Sequence, residues 1–269
     1  MSASALHRPW RIALPQTYSS SNPTGMISFA LASNSLVLED LSSFAAQVPL
    51  PLDVFTYGYS TAGGARLRAA LASHLNLRSN PHAPLTIDDV QLASGATAVQ
   101  SVLAFALASP GEGILTSRPV YGRFELDFGN EMGVEVVYAD TAPKTCFEPD
   151  VVETLVRIMQ FCEKHKIHLI SDEIYGLSVF SSSSSSSSSS GSLPAFTSVL
   201  SIDTVGFIDP DLVHVEYGVA KDFAAPGMRL GLLVSRNWAL HEVFYSVVRF
   251  HSPAGPSVAI AAAMFEDRT

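Results

Sequence analysis

Pro149-Asp-Val-Val-Glu-Thr-Leu-Val-Arg-Ile-Met-Gln-Phe-Cys-Glu-Lys-His-Lys166, followed directly by Ile167-His-Leu-Ile-Ser171, decides the fold class. The first part is amphipathic: Val152, Leu155, Met159 and Phe161 cover one broad side of a helix. The second part is too short and too apolar for a helix and reads as a strand, which delivers Asp172 at its end. A helix that feeds straight into a strand is half of a strand–helix–strand unit.

The alternation continues on both sides. Leu67, Leu71 and Leu75 recur four apart, with Ala70 on the same face, so a core-facing helix is predicted after Gly64, with His74 at the edge of its stripe. Gly95-Ala96-Thr97 opens a helix running to about Ala108. Gly113–Ser117 reads as a buried strand, Pro119 to about Asn130 as a helix, and Val134–Tyr138 as a strand. Val213–Tyr217 and Leu230–Ser235 are two more strands, and Asn237 starts a last amphipathic helix. The expected fold class is therefore α/β, a mostly parallel central sheet with flanking helices, which binds ligands beyond the carboxyl ends of its strands. Residues 1–25 read as an irregular N-terminal arm and 26–269 as one domain. Ser181–Ser190, closed by Gly191, offers nothing to offset its ordering entropy and reads as a flexible loop within that domain.

Composition narrows the function. The 269 residues are 47% hydrophobic and 15% charged, enough apolar side chain for a sizeable core and too much for a disordered chain. A net charge of −9 argues against a nucleic-acid partner. No apolar run approaches membrane-spanning length, so no membrane partner is expected. Two cysteines, Cys146 and Cys162, exclude a disulfide scaffold and point to a reducing, cytoplasmic setting. There is no G-x-S-x-G elbow, P-loop, H-E-x-x-H or C-x-x-C. The eight histidines lack metal-binding spacing, so no metal is expected and they read as surface and loop residues.

Four features point to chemistry. Only four lysines are present; Lys144, Lys164 and Lys166 lie in polar stretches, whereas Lys221 follows the end of the strand Val213–Tyr217. There a lysine is either an ordinary loop residue or a partly desolvated nucleophile. Asp172 ends its strand, with Tyr175 three residues on, and is either a helix cap or a site residue. Ala96 and Thr97 begin a helix whose first N–H groups suit a phosphate. Arg229 stands eight residues after Lys221, just before a strand.

In this order the features resemble fold-type I pyridoxal-phosphate enzymes, and more closely the class I/II aminotransferases with their 1-aminocyclopropane-1-carboxylate synthase-like branch. The likeness is carried by Tyr57-Gly58 with Arg66-Leu-Arg-Ala-Ala-Leu71, Ser94-Gly-Ala-Thr97, and Pro119-Val-Tyr121. It continues through Ile167–Tyr175, Lys221-Asp-Phe and Gly227-Met-Arg-Leu-Gly231. The resemblance implies a pyridoxal-phosphate-dependent amino acid transformation, most simply transamination, with elimination or C–S cleavage as alternative chemistries. Lys221 would hold the cofactor covalently and move the substrate Cα proton. Asp172 would pair with the ring nitrogen, Tyr175 would donate to the ring O3′, and Tyr121 would stack on the ring. Ala96, Thr97 and Arg229 would seat the phosphate. Tyr57 would reach the phosphate of a neighbouring subunit, since these enzymes are homodimers. The substrates would be amino and keto acids.

The chain also departs from the family. Pro149–Leu155 resembles the helix before an N-P-x-N-P-x-G segment, and Val156–Cys162 the helix after it. Several dozen residues between them, including a strand and an asparagine that bonds O3′, have no counterpart, so the helix Pro149–Lys166 reads as a fusion of two. Most of the small C-terminal domain, with its substrate-carboxylate arginine, is likewise not represented; Arg236, Arg249 and Arg268 are the remaining candidates. Gly218 and Ala220 stand where the family has serines, and Ser33 where the synthase-like branch has a glutamate. These losses fall on the substrate side of the site, which leaves a second reading: a catalytically silent chain that binds cofactor or a full-length partner.

Overall fold

A computed structural model describes residues 18–27, 32–140, 151–179 and 196–267. The serine run, Lys144, Cys146 and Arg268 lie outside them. Residues up to Ser33 form one unit, and Asn34 onward a second. Within the first, Ser19 and Asn22 form an isolated bridge.

The second unit holds seven helices and six strands among the described residues: α1 (Leu38–Gln47), α2 (Ala65–Arg78), β1 (Val90–Ala93), α3 (Ala96–Leu107), β2 (Gly113–Arg118), α4 (Phe124–Met132), β3 (Glu135–Asp140), α5 (Val151–His165), β4 (Leu169–Asp172), β5 (Val213–Gly218), β6 (Gly231–Ser235), α6 (Trp238–Val247) and α7 (Gly255–Glu266). No helix among the described residues is long and apolar enough to cross a membrane.

The strands form two sheets, one of order β1-β6-β5-β4 and one pairing β2 with β3. The pairs β2–β3 and β4–β5 are parallel, as expected, but β6 runs antiparallel to both β5 and β1. The sheet is therefore mixed. The connection from β5 to β6 contains only a 3-10 turn, Pro226–Met228, and a connection without a crossover helix returns the chain antiparallel.

The large sheet is covered on both faces. Leu92, Leu232, Val215 and Tyr217 pack with Leu67, Leu71 and Leu75 of α2, Ala261 and Phe265 of α7, and Met159 of α5. Ala93 and Leu233 pack on the opposite side with Val99 and Leu103 of α3 and Leu240 and Phe244 of α6. The Leu67–Leu75 stripe is fully buried, and Asn237 caps α6 by accepting from the Leu240 N–H at 2.9 Å.

Several expectations need correcting. β2 is not buried: Leu115 is 54% exposed, because no helix among the described residues covers that face of the small sheet. The helix after Pro119 starts only at Phe124. The inner face of α5 is Leu155, Met159 and Cys162, while Val152 and Phe161 are exposed. α6 is not the last helix, since α7 follows. Nor are the histidines all superficial. His214 and His241 are buried, and His74 is wedged edge-on between Phe223 and Phe265, at 5.6 and 4.9 Å.

Candidate functional site

The register of the large sheet brings the sequence-predicted residues to one end. Gly231 opposes both Ala93 and Gly218, and Asp172 opposes Glu216. Thus the last residues of β1, β4 and β5 and the first of β6 lie together, and the segments beyond them form a cluster.

Asp172 accepts the Ile174 N–H at 3.1 Å, a turn contact that fixes one carboxylate oxygen and turns the chain toward Tyr175. Its side chain reaches solvent, yet enough protein surrounds it that desolvation raises its carboxyl above the ordinary value. Tyr175 is half exposed, and the Lys221 Nζ lies 5.9 Å from its ring centroid. Tyr121 packs edge-on against Phe124. Its hydroxyl is pushed above the ordinary phenol value by desolvation first, then by Asp127, with smaller contributions from Tyr175 and Asp172. Tyr121, Tyr175 and Asp172 therefore share one electrostatic environment.

The phosphate-seat candidates meet at the start of α3. Gly95 has φ +103°, a conformation that side chains disfavour, and precedes the first helical N–H groups at Ala96 and Thr97. The Arg229 guanidinium lies against Gly95 and donates to the Ser94 carbonyl at 3.1 Å; a Cβ on Gly95 would come within 2.4 Å of it. A Cβ on Gly231 would lie 2.4 Å from the Ala96 nitrogen. Two glycines thus let an arginine and a helix N-terminus converge, a donor set that fits a phosphate dianion. Thr97 is exposed, its hydroxyl 3.4 Å from an Asp127 oxygen.

Tyr57 is not brought into this cluster and stands fully exposed. Arg236 donates to the Ala83 carbonyl beyond the far end of β6, and Arg249 lies over the Phe250 ring. Gly218 is tightly held, since a Cβ there would sit 2.8 Å from the Leu230 carbonyl oxygen.

The structure adds residues that sequence reasoning missed. Asp222, next to Lys221, accepts from the Tyr217 hydroxyl at 2.9 Å and the Leu177 N–H at 2.8 Å, and also from the Ser178 hydroxyl, tying the lysine loop to the Tyr175 turn. Glu216, in the middle of β5, is buried and receives both contacts of the Gln100 amide nitrogen. A single acid inside an apolar strand was the available signal.

The sequence profile described as aminotransferase class I and II matches this chain in two stretches, residues 54–153 and 151–269, which meet in α5. A probable aminotransferase of Leptosphaeria maculans is 29% identical over 249 residues, covering 78% of this chain and 58% of the relative. That alignment is longer than the part of this chain it covers, so some of the relative's residues have no counterpart here. 1-Aminocyclopropane-1-carboxylate synthase 1 of Prunus mume is 25% identical over 260 residues, 80% of this chain and 51% of the relative. The chain spans little more than half the length of these curated relatives. Aspartate aminotransferase from Thermotoga maritima has the same fold, with a TM-score of 0.65 at 18% identity over 88% of this chain and 64% of that one.

Proposed function

Because the chain belongs to the class I and II aminotransferase family, we propose that it binds pyridoxal 5′-phosphate at this strand end and transforms α-amino acids, most simply by transamination. The observation that carries this reading is the meeting of Lys221, Tyr175, Asp172 and Tyr121 at the end of the sheet where α3 begins and Arg229 lies.

When bound, the cofactor supplies an electron sink for charge developing at the substrate Cα. The chain's residues then have distinct tasks. Lys221 would hold the cofactor and then carry the substrate Cα proton. Asp172 would keep the ring nitrogen protonated. Tyr175 would donate to the ring hydroxyl oxygen, and Tyr121 would pack against the ring. Ala96 and Thr97, by their N–H groups, and Arg229, by its fork, would bind the phosphate. Asp222 keeps the lysine loop and the Tyr175 turn in register. The exposed ring of Tyr57 is available to a second subunit, which supports a homodimer. Amino and keto acids as substrates and a cytoplasmic location belong to the same proposal.

Elimination of the 1-aminocyclopropane-1-carboxylate synthase kind requires the same Cα proton transfer and is the alternative chemistry. The second reading, a chain that takes up cofactor without turnover, is favoured by the placement of Arg236 beyond the far end of β6, away from the cluster.

The test is titration of the purified chain with pyridoxal phosphate. A visible absorbance band that borohydride abolishes, absent from Lys221→Ala, is expected. A band of equal size in both proteins overturns the reading. A band that no amino acid perturbs selects the reading without turnover.

A further inference from the structure

Glu216 is a buried acid, 1% exposed, with no use in the chemistry above. It pairs in parallel register with Asp172, so the two side chains leave the same face of the sheet on adjacent strands. No ion pair involving it occurs among the described residues. The groups around it are Asp172 from β4, Asp127 from α4 and Gln100 from α3, with apolar Leu233 opposite on β6 and neutral His214 two residues back on its own strand. The charges that reach Glu216 from its neighbours are therefore negative.

The Gln100 amide nitrogen is shared between the two Glu216 oxygens, at 3.1 and 3.0 Å, while the Gln100 carbonyl oxygen is buried with no partner. Amide nitrogen and oxygen are interchangeable by a flip. With the amide flipped, a carboxylic acid donates its O–H to the Gln100 oxygen, a contact that a carboxylate has no proton to make. A carboxylate at Glu216 sets two anions side by side on adjacent strands, with no ion pair to offset them among the described residues. Gln100 lies one turn along α3 from Ala96 and Thr97, so this pair fixes the helix end on which the phosphate seat depends.

We propose that Glu216 is a positioning residue for the cofactor site, carrying a proton at neutral pH and, through an acid–amide pair with Gln100, holding the start of α3 against the strands that bear Asp172 and Lys221. Burial first, and then the charge of Asp172, raise its proton affinity well above that of an ordinary carboxyl, in agreement with this geometry. The cofactor part rests on the proposed function; the proton does not.

The experiment compares wild type with Glu216→Gln, which retains a neutral hydrogen-bonding group facing Gln100, and Glu216→Val, which retains none. In the cofactor-free chain at pH 7, infrared difference spectra should show a protonated-carboxyl stretch in wild type that is missing from Glu216→Gln. The folded chain keeps a proton that the unfolded chain releases, so wild-type stability should fall relative to Glu216→Gln as pH rises from about 5 to 9. With pyridoxal phosphate at pH 7, Glu216→Val should bind about tenfold more weakly, and Glu216→Gln should restore affinity. No carboxyl band, or parallel pH profiles, overturns the proton. Equal affinity of wild type and Glu216→Val overturns the positioning. A wild type that never forms the borohydride-sensitive band overturns the function beneath it, with the infrared result still deciding the proton.

Discussion

The two sheets are finished to different standards. Every residue of β1, β5 and β6 is buried, whereas β2 and β3 alternate between half-buried and exposed. The large sheet has helices on both faces and can hold desolvated groups such as Glu216 and Asp172 in fixed positions. Among the described residues the small sheet has one such face, on Ala104, Phe128 and Val134. The sheets part between β4 and β2, and Ile170 of β4 and Ile114 of β2 both pack against that small cluster. The two stretches of family similarity meet in α5, between the last strand of the small sheet and the edge strand of the large one. Thus the part of the molecule with the thinnest packing borders the place where the sequence leaves its relatives, and the proposed chemistry sits on the better-packed part.

That contrast is open to direct attack. The largest effect should come from Leu233→Ala, at a fully buried site in β6, costing about 2–5 kcal/mol in urea unfolding. Ile170→Ala, at the seam, should cost about 1–2 kcal/mol, because it is only half-buried. Leu115→Ala in β2 should stay within about 0.5 kcal/mol. If Leu115→Ala cost as much as Leu233→Ala, the two sheets would be equally well packed in solution and the contrast would fail.

A smaller effect concerns acid. Burial, then the neighbouring His168 and His241, lower His214 to about 3, and burial lowers His74 to about 4. Both lie below the ordinary histidine value, so the unfolded chain takes up protons first. Their share of stability is complete above about pH 6.5 and is lost as pH falls toward those values. Both belong to the packing of the large sheet, so its amides should lose exchange protection first on acidification. His74→Phe keeps the ring packing and removes a buried nitrogen without a partner. It should flatten the acid side of the melting profile, and an unchanged acid slope would contradict this.

Much of the fold was legible where one face is apolar. The Leu67–Leu75 stripe follows from spacing, and the strands expected at Ile167–Ser171 and Leu230–Ser235 lie at Leu169–Asp172 and Gly231–Ser235. α7 escaped because Val258–Phe265 is apolar almost all round, which leaves no stripe to find. β1 is four residues long, below the length at which alternation is informative. Phe161 was assigned to the wrong face of α5, because two residues from Met159 it lies roughly 160° round the helix, whereas Val152 lies on the side of Met159 but is exposed in the first turn. In the candidate site, Lys221, Asp172 and Arg229 stand out in the sequence because they flank strands. Asp222 does not, because its partners Leu177 and Ser178 lie more than forty residues away in sequence.

The most direct measurement is to reduce the cofactor-loaded chain with borohydride, digest it and locate the pyridoxyl group by mass spectrometry. The account predicts modification of Lys221 and of none of Lys144, Lys164 or Lys166. Modification at one of those three, or at no lysine, contradicts it.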